Sequence, residues 1–387
     1  MGAAWEVTPR EIASKMKEGY CLVDIRNAAA IAYGAIPGSV VLPADELKEH
    51  IEEFQQVAGV IIYCTRGIYS VDAVENLREC SVNAYSLRGG YMGWITYLME
   101  QEKFADKQKQ IEEGLRKTWH RRLFSPFAKA VNKYELVQEG DRIAVCISGG
   151  KDSMLMAKLF QELQRHRKCR FDLVFLVMDP GYSEENRKVI EHNARLLGIP
   201  VTIFETKIFD IVYDTEKSPC YLCARMRRGY LYAKAKELGC NKIALGHHYD
   251  DVIETILMGM LYGGQVQTMM PKLFSTNFEG MELIRPMYLI REDDIKRWRD
   301  ANELHFIQCA CHFTDTCSTC DPDGRTASKR MEIKLLISKL KETNSFIEGN
   351  IFKSVENVNL DTVVGWKSGG VRHSFLERYD EKRMIEK

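Results

Sequence analysis

The chain has 387 residues, 45% of them hydrophobic and 28% charged, and its 54 basic residues balance 54 acidic ones. These are the proportions of a soluble globular protein with room for two domains. No run of about 18 apolar residues occurs, which excludes a membrane-spanning helix, and MGAAWEVTPREIASKMKEGY lacks the apolar core of a signal peptide. The charge is unevenly divided: residues 1–103 hold 9 Lys+Arg against 14 Asp+Glu, so the remainder is net basic and hints at an anionic partner there. Twelve cysteines without a secretion signal point to a reducing, cytoplasmic setting, where thiols serve metals or sulfur chemistry.

In chain order, YCLVDIR and VAGVIIYCT read as buried strands, and ADELKEHIEEF and SVDAVENLREC as amphipathic helices. AYSLRGG adds a strand and GGYMGWITYLME a helix, giving an α/β unit with a parallel sheet over residues 1–103. Residues 104–117 are highly charged with almost no apolar periodicity, which predicts an exposed helix or linker between domains. From 118 to 387 the chain opens on a helix with a basic face and then alternates. Strands DRIAVCIS, FDLVFLVMD, PVTIFET and NKIALGH are each followed by a helical pattern. Four such units predict an open, doubly wound sheet with its active site at the carboxyl ends of the strands.

CTRGIYS, Cys64 to Ser70, joins a strand to a helix. Backbone N–H groups and the helix dipole favour an anion there, and Arg66 adds positive charge, so Cys64, Arg66, Gly67 and Ser70 form a candidate persulfide loop. With LVDIRN (Asp24, Arg26), YGAIPGSVVLP and LRGGYMGW, this segment resembles a single-domain rhodanese. It departs from that family at Ala35, where histidine is usual. A catalytically dead rhodanese used as an adaptor is the alternative reading.

SGGKDS, Ser148 to Ser153, follows a strand and opens a helix. Paired glycines let the backbone approach a phosphate, and the free N–H groups bind it. The hexapeptide resembles the PP-loop ATPases, a branch of the adenine nucleotide alpha hydrolase-like fold that cleaves ATP between its α- and β-phosphates. The resemblance implies that Ser148, Gly149, Gly150 and Ser153 hold pyrophosphate, that Asp152 positions Mg2+ and that Lys151 adds charge. GHHYDD ends another strand on the same rim. It places Gly246 and His247 on the nucleotide side, while Asp250 and Asp251 could hold magnesium, act as acid and base, or cap the next helix.

The pair Cys220–Cys223 in SPCYLCARMRRG admits four chemistries: a redox dithiol, zinc completed by Cys317 and Cys320, two buried thiols, or ligands of an iron–sulfur cluster. A third cluster ligand would come from FIQCACHF, as Cys309 or Cys311. Five others, Cys21, Cys80, Cys146, Cys169 and Cys240, read as small buried hydrophobes.

CYLCARMRRGYLYAKAKELGCNKIALGHHYDD, RPMYLIREDDI, FIQCAC and IFKSVENV occur in the order of the tRNA 2-thiocytidine synthetase branch of PP-loop enzymes, which residues 118–357 resemble. That resemblance implies a 4Fe–4S cluster on Cys220, Cys223 and Cys309 with one iron open to sulfur, and a basic contact to the reacting site at Arg227. It implies an ATP-dependent tRNA sulfurtransferase that adenylates C2 of an anticodon-loop cytidine and replaces its oxygen with sulfur. A persulfide on Cys64, loaded by a cysteine desulfurase or another donor, would supply that sulfur. Lys117, Arg121, Arg122, Arg225 and Arg228 are candidate tRNA contacts, suited to a phosphate backbone rather than to bases. Zn2+ at Cys317/Cys320 and a homodimer, the state PP-loop relatives often adopt, stay open. The alternatives are thiolation of a uridine or a small metabolite, a ligase or amidase regulated by the rhodanese, and a persulfide-sensing module.

Overall fold

The computed structural model describes residues 5–31, 34–101, 104–209, 219–307 and 329–379. The chain divides into two compact units, Met1–Tyr249 with Met270–Thr326, and Asp250–Met269 with Ala327–Lys387. The first unit holds two α/β sheets.

The N-terminal sheet has strands β1 (Glu6–Val7), β2 (Tyr20–Asp24), β3 (Val40–Val41), β4 (Gly59–Tyr63) and β5 (Ala84–Leu87). They pair in parallel in the order β1-β5-β4-β2-β3. Central β4 is buried at every residue, as an unbroken apolar run should be in a parallel sheet covered on both faces. Its register sets Tyr63 beside Asp24 at the carboxyl ends of β4 and β2. Helices α1 (Tyr69–Glu79) and α2 (Gly90–Gln101) follow β4 and β5. ADELKEHIEEF forms two short turns, a 3₁₀ turn over Leu47–His50 and an α turn over Ile51–Phe54, rather than one helix. His50, at φ −104° and ψ 14°, interrupts the α geometry.

The charged segment expected to be exposed is a half-buried helix, α3 (Phe104–Arg116). Ile111 and Leu115, one turn apart and each 1% exposed, enter the same core as Ile95 of α2 and Leu155 and Val189 of the following domain. Two apolar residues at an i, i+4 spacing are enough to seat a helix whose other face is charged. Ion pairs from Glu112 to Lys158 (3.0 Å) and from Arg116 to Glu162 (3.0 Å) reinforce the contact.

The second sheet has strands β6 (Arg142–Ile147), β7 (Asp172–Asp179), β8 (Val201–Glu205), β9 (Lys242–Ala244), β10 (Lys272–Phe274) and β11 (Glu282–Ile284). Their order is β10-β11-β9-β6-β7-β8, parallel throughout except at β10. Helices α4 (Ser125–Lys133), α5 (Lys151–Arg165), α6 (Glu184–Leu196), α7 (Pro219–Glu237), α8 (Tyr249–Gly263) and α9 (Glu292–Ala301) accompany it. The chain winds outward from β6 through β7 to β8, then returns to lay β9 on the other side of β6. The order therefore reverses between β6 and β9, and a crevice forms at their carboxyl ends, the usual place for a ligand in such sheets.

Of the five cysteines expected inside, Cys146 and Cys240 are buried, whereas Cys21, Cys80 and Cys169 are only half-buried. Burial pushes the Cys146 thiol up to about 12, so it behaves as an apolar group. The second unit contains most of α8, then α10 (Lys329–Thr343), α11 (Ile347–Ser354) and a hairpin of β12 (Gly365–Ser368) and β13 (Val371–Ser374). Gly369 and Gly370, at φ +56° and +82°, supply the left-handed pair that a two-residue hairpin turn requires. Among the described residues no helix is long and apolar enough to cross a membrane.

Candidate active site

The Cys64 loop begins where β4 ends. Gly67 adopts φ +80°, which turns its N–H back to donate to Cys64 Sγ at 3.1 Å. Ser70 Oγ lies 3.4 Å from the same sulfur and 2.9 Å from Ser86 Oγ. Gly90 must be glycine, since a Cβ there would meet Cys64 O at 2.4 Å. The result is a sulfur, 5% exposed as a residue, met by the Gly67 N–H and the Ser70 hydroxyl just before and within the first turn of α1.

Beneath it a buried network fixes the preceding strand ends. Arg26 and Asp24 form a two-point ion pair, with the Arg26 guanidinium also 3.9 Å from the centre of the Tyr91 ring and bonded to Gly34 O. Tyr63 Oη donates to Asp24 at 2.7 Å and accepts from the Ile36 N–H at 3.1 Å. Burial pushes the Tyr63 phenol up to about 12, so it remains a donor across the ordinary pH range. Ala35 lines a cleft of about 530 Å³ with Trp94, Leu98, His192 and Arg299, placing the departure from the rhodanese pattern against α6 and α9. Glu185, in the first turn of α6, is held below the usual carboxylate range by its own backbone and by Ser183, with the charge of Arg66 contributing.

The Ser148–Ser153 loop leaves β6 at the crevice. Gly149 has φ +84°, and Gly150 caps α5 with an extended backbone (φ −83°, ψ 164°). Ser153 Oγ accepts from the Ser148 N–H (3.1 Å), donates to Gly150 O (3.0 Å) and lies 3.2 Å from Ser148 Oγ. Gly246, beyond β9, presses on the loop: a Cβ there would stand 3.3 Å from Ser153 N. Asp152 Oδ2 accepts from the Lys151 ammonium (3.1 Å). Its other oxygen, Oδ1, is buried with no hydrogen-bond partner among the described residues and lies 3.9 Å from His248 Nε2. A buried carboxylate oxygen left this way suits a hard cation such as magnesium. His248, 5% exposed, is a further site residue within GHHYDD, beyond those the sequence pattern singles out. Glu292, which meets Lys151 at 3.3 Å, is another, and only its place at a helix start after RPMYLIR could have signalled it.

Lys151 is 3% exposed, and among the described residues the Asp152 and Glu292 carboxylates lie within 3.3 Å of its ammonium. Asp250 and Asp251 occupy the first turn of α8 and belong to the second unit, where Asp251 pairs with Arg330 at 3.4 Å. His247 is half-buried.

Helix α7 starts at Pro219, so the cysteine pair lies within its first turns rather than ahead of it. Cys223 packs with Leu222 and Met226 against Met178 and Ile208, at the carboxyl ends of β7 and β8. Arg227, one turn later, stands 5.5 Å from the Phe209 ring centre with its Nε buried and unpartnered among the described residues. A soft thiol in an apolar setting beside a guanidinium fits an iron–sulfur ligand. The Cys220 side chain and all of Cys309, Cys311, Cys317 and Cys320 lie outside the described residues, and among those described no three metal-type side chains converge. Arg121, Arg122, Arg225 and Arg228 are exposed, Arg122 lying 3.6 Å from Asp294; exposed Lys117 pairs with Glu113 at 3.7 Å.

A family model described as a rhodanese-like domain matches residues 8–97, and one described as a PP-loop domain matches residues 120–312. The chain is 36% identical over 233 residues to the tRNA-cytidine(32) 2-sulfurtransferase of Syntrophotalea carbinolica, which covers 59% of this chain and 86% of that protein. It is also 36% identical over 248 residues to the protein of the same name from Alkalilimnicola ehrlichii, with 62% and 74% covered. Among solved structures it is similar to the U34-tRNA thiolase NcsA from Methanococcus maripaludis with its 4Fe-4S cluster, at TM-score 0.47 and 21% identity over 60% of this chain and 76% of that one. The chain belongs to the tRNA-cytidine(32) 2-sulfurtransferase family of PP-loop proteins and carries a rhodanese-like domain ahead of the PP-loop domain.

Proposed function

We propose that the protein uses ATP to replace the C2 oxygen of cytidine 32 in tRNA with sulfur, drawing that sulfur from a persulfide on Cys64. The observation that carries this reading is Asp152 Oδ1, a buried acceptor without a hydrogen-bond partner among the described residues, at the mouth of a glycine turn. Backbone N–H groups of Gly149, Gly150 and Lys151 bind pyrophosphate, the Ser148 and Ser153 hydroxyls orient it, and Asp152 holds magnesium. The C2 oxygen attacks the α-phosphorus and pyrophosphate leaves, so that AMP becomes the leaving group at C2.

Gly67 and the other loop N–H groups stabilise the anionic outer sulfur of the Cys64 persulfide. A thiol reductant releases it as hydrosulfide and regenerates the Cys64 thiol; sulfur then bonds to C2 as AMP departs. Cys220, Cys223 and Cys309 would hold a 4Fe–4S cluster, which would supply a soft metal site for the sulfur. Arg227, whose Nε has no partner among the described residues, attracts the anion near that pair. Arg121, Arg225 and Arg228 contact tRNA phosphates, and C2 is reached in an unpaired, splayed base. The persulfide donor is of the cysteine desulfurase type.

Anaerobically purified protein, incubated with unmodified tRNA, ATP, a persulfide donor and dithiol, tests this. Nucleoside mass spectrometry is expected to show 2-thiocytidine, absent when ATP is omitted. An unchanged profile, or 2-thiouridine in its place, would sink the reading.

A further inference from the structure

Lys151 is placed unlike a lysine that reaches for phosphate. Its side chain is 4% exposed, and its Nζ lies between Asp152 Oδ2 (3.1 Å) and Glu292 Oε1 (3.3 Å). A buried ammonium needs such compensation, because losing its hydration is costly unless carboxylates replace the water. Glu292 is the first residue of α9, its side chain 13% exposed, and its second oxygen meets Lys296 at 3.2 Å. The segment leading to it is stitched to the loop after β9: the Leu245 N–H donates to Ile284 O (3.0 Å) and the Tyr249 N–H to Ile290 O (2.9 Å). Arg291, the residue before Glu292, stands 5.1 Å from the Tyr249 ring centre. The carboxylate that reaches Lys151 is thus anchored to both sides of the crevice.

We propose that Glu292 is a positioning residue for the magnesium site of the nucleotide loop. It shares the Lys151 ammonium with Asp152, so that Lys151 engages one Asp152 oxygen, Oδ2, and leaves Oδ1 to the metal. This rests on the nucleotide reading above. Among the described contacts two carboxylates face one ammonium, which settles between them. With the Glu292 charge removed, the pull of Asp152 on Lys151 is no longer opposed from that side, and the ammonium competes with magnesium for the Asp152 carboxylate. Removing the Lys151 charge as well ends the competition. A merely structural Glu292 gives no such recovery of metal affinity.

The test measures binding of a fluorescent α,β-methylene ATP analogue during a magnesium titration, with no turnover. It uses full-length wild type, Glu292→Gln, Glu292→Asp, Lys151→Met and the Lys151→Met/Glu292→Gln double variant, each checked by thermal melting. Glu292→Gln should raise half-saturating magnesium about tenfold, the size of coupling expected between charges in contact. Glu292→Asp should fall between, and the double variant should return to within about threefold of Lys151→Met alone. If Glu292→Gln does not fold, Glu292→Asp against the double variant carries the same comparison. A Glu292 variant that titrates like wild type overturns the proposal, as does a double variant as weak as Glu292→Gln. A wild type that itself shows no magnesium-dependent nucleotide binding overturns both this inference and the nucleotide reading, whereas normal wild-type binding confines the failure to Glu292.

Discussion

On the function proposed above, the Cys64 loop and the Ser148 loop put one backbone device to two uses. Each leaves a buried parallel strand, turns on a glycine in the left-handed region (Gly67 at φ +80°, Gly149 at φ +84°) and opens a helix. The first closes on its own sulfur, with the Gly67 N–H aimed at Cys64 Sγ and Ser70 at hand. In the second, Ser148 and Ser153 close on each other, while Asp152 keeps an oxygen unmatched among the described residues. A loop for a covalently held anion carries the attachment atom in its own sequence and can be satisfied without a ligand. A loop for a diffusible anion and its metal must stay partly unsatisfied until they arrive. Unmet polar capacity, rather than the glycine pattern, separates the two.

The largest effects would come from breaking each loop and reading the other. Asp152→Asn should lower ATP–pyrophosphate exchange about 1000-fold, the scale of losing a key electrostatic group. Persulfide on Cys64, detected by alkylation and mass spectrometry, should stay at the wild-type level. Cys64→Ala should abolish that persulfide, leave exchange intact and still permit thiolation when free sulfide is supplied. Loss of both activities in either variant would mean the loops do not act as separable devices.

A smaller effect, on stability, compares the two glycines. At Gly149 a Cβ would stand 2.6 Å from Ile190 Cγ1 and 2.7 Å from Ile307 Cδ1, and the backbone is left-handed. Gly149→Ala should therefore cost about 3 kcal/mol, combining the left-handed penalty with overpacking. Gly67→Ala meets backbone atoms at 3.0 Å and should cost about 2 kcal/mol. Urea denaturation distinguishes them, and equal midpoints would argue that Gly149 is not tightly packed in solution.

What the sequence revealed followed from local pattern. Strand–loop–helix signals located Cys64 and SGGKDS, and alternation of strands and helices predicted the doubly wound sheet that brings Gly246 against Ser153. What it concealed depends on partners distant along the chain. Nothing near Lys151 announces that Glu292 will neutralise it, because that contact exists only once α9 is laid beside α5. Nor does GHHYDD reveal that Asp251 belongs to a different compact unit from Asp152 and pairs with Arg330. In residues 104–117 abundant charge masked the pair Ile111 and Leu115, although both are as buried as strand residues.

That helix gives the smallest and most specific prediction. Lys158, 3% exposed, donates to Leu197 O at 2.7 Å and to Glu112 at 3.0 Å. Burial pushes the Glu112 carboxyl up, but bonds from Lys158 and Gln108 and the neighbouring cations outweigh it and hold the group below the usual range. For Lys158 burial prevails over Glu112, and its ammonium is held below the usual lysine range. Because Glu112 ionises more readily folded than unfolded, its contribution is present above about 4.5, the ordinary carboxylate value. It fades as pH falls through the lower, folded-state value. Glu112→Gln should therefore cost about 1–2 kcal/mol at neutral pH, since Lys158 keeps its carbonyl partner, and Glu112 itself is partly exposed. The difference between variant and wild type should shrink on acidification in that window. A gap unchanged at acid pH would show that the seating of α3 rests on Ile111 and Leu115 rather than on the ion pair.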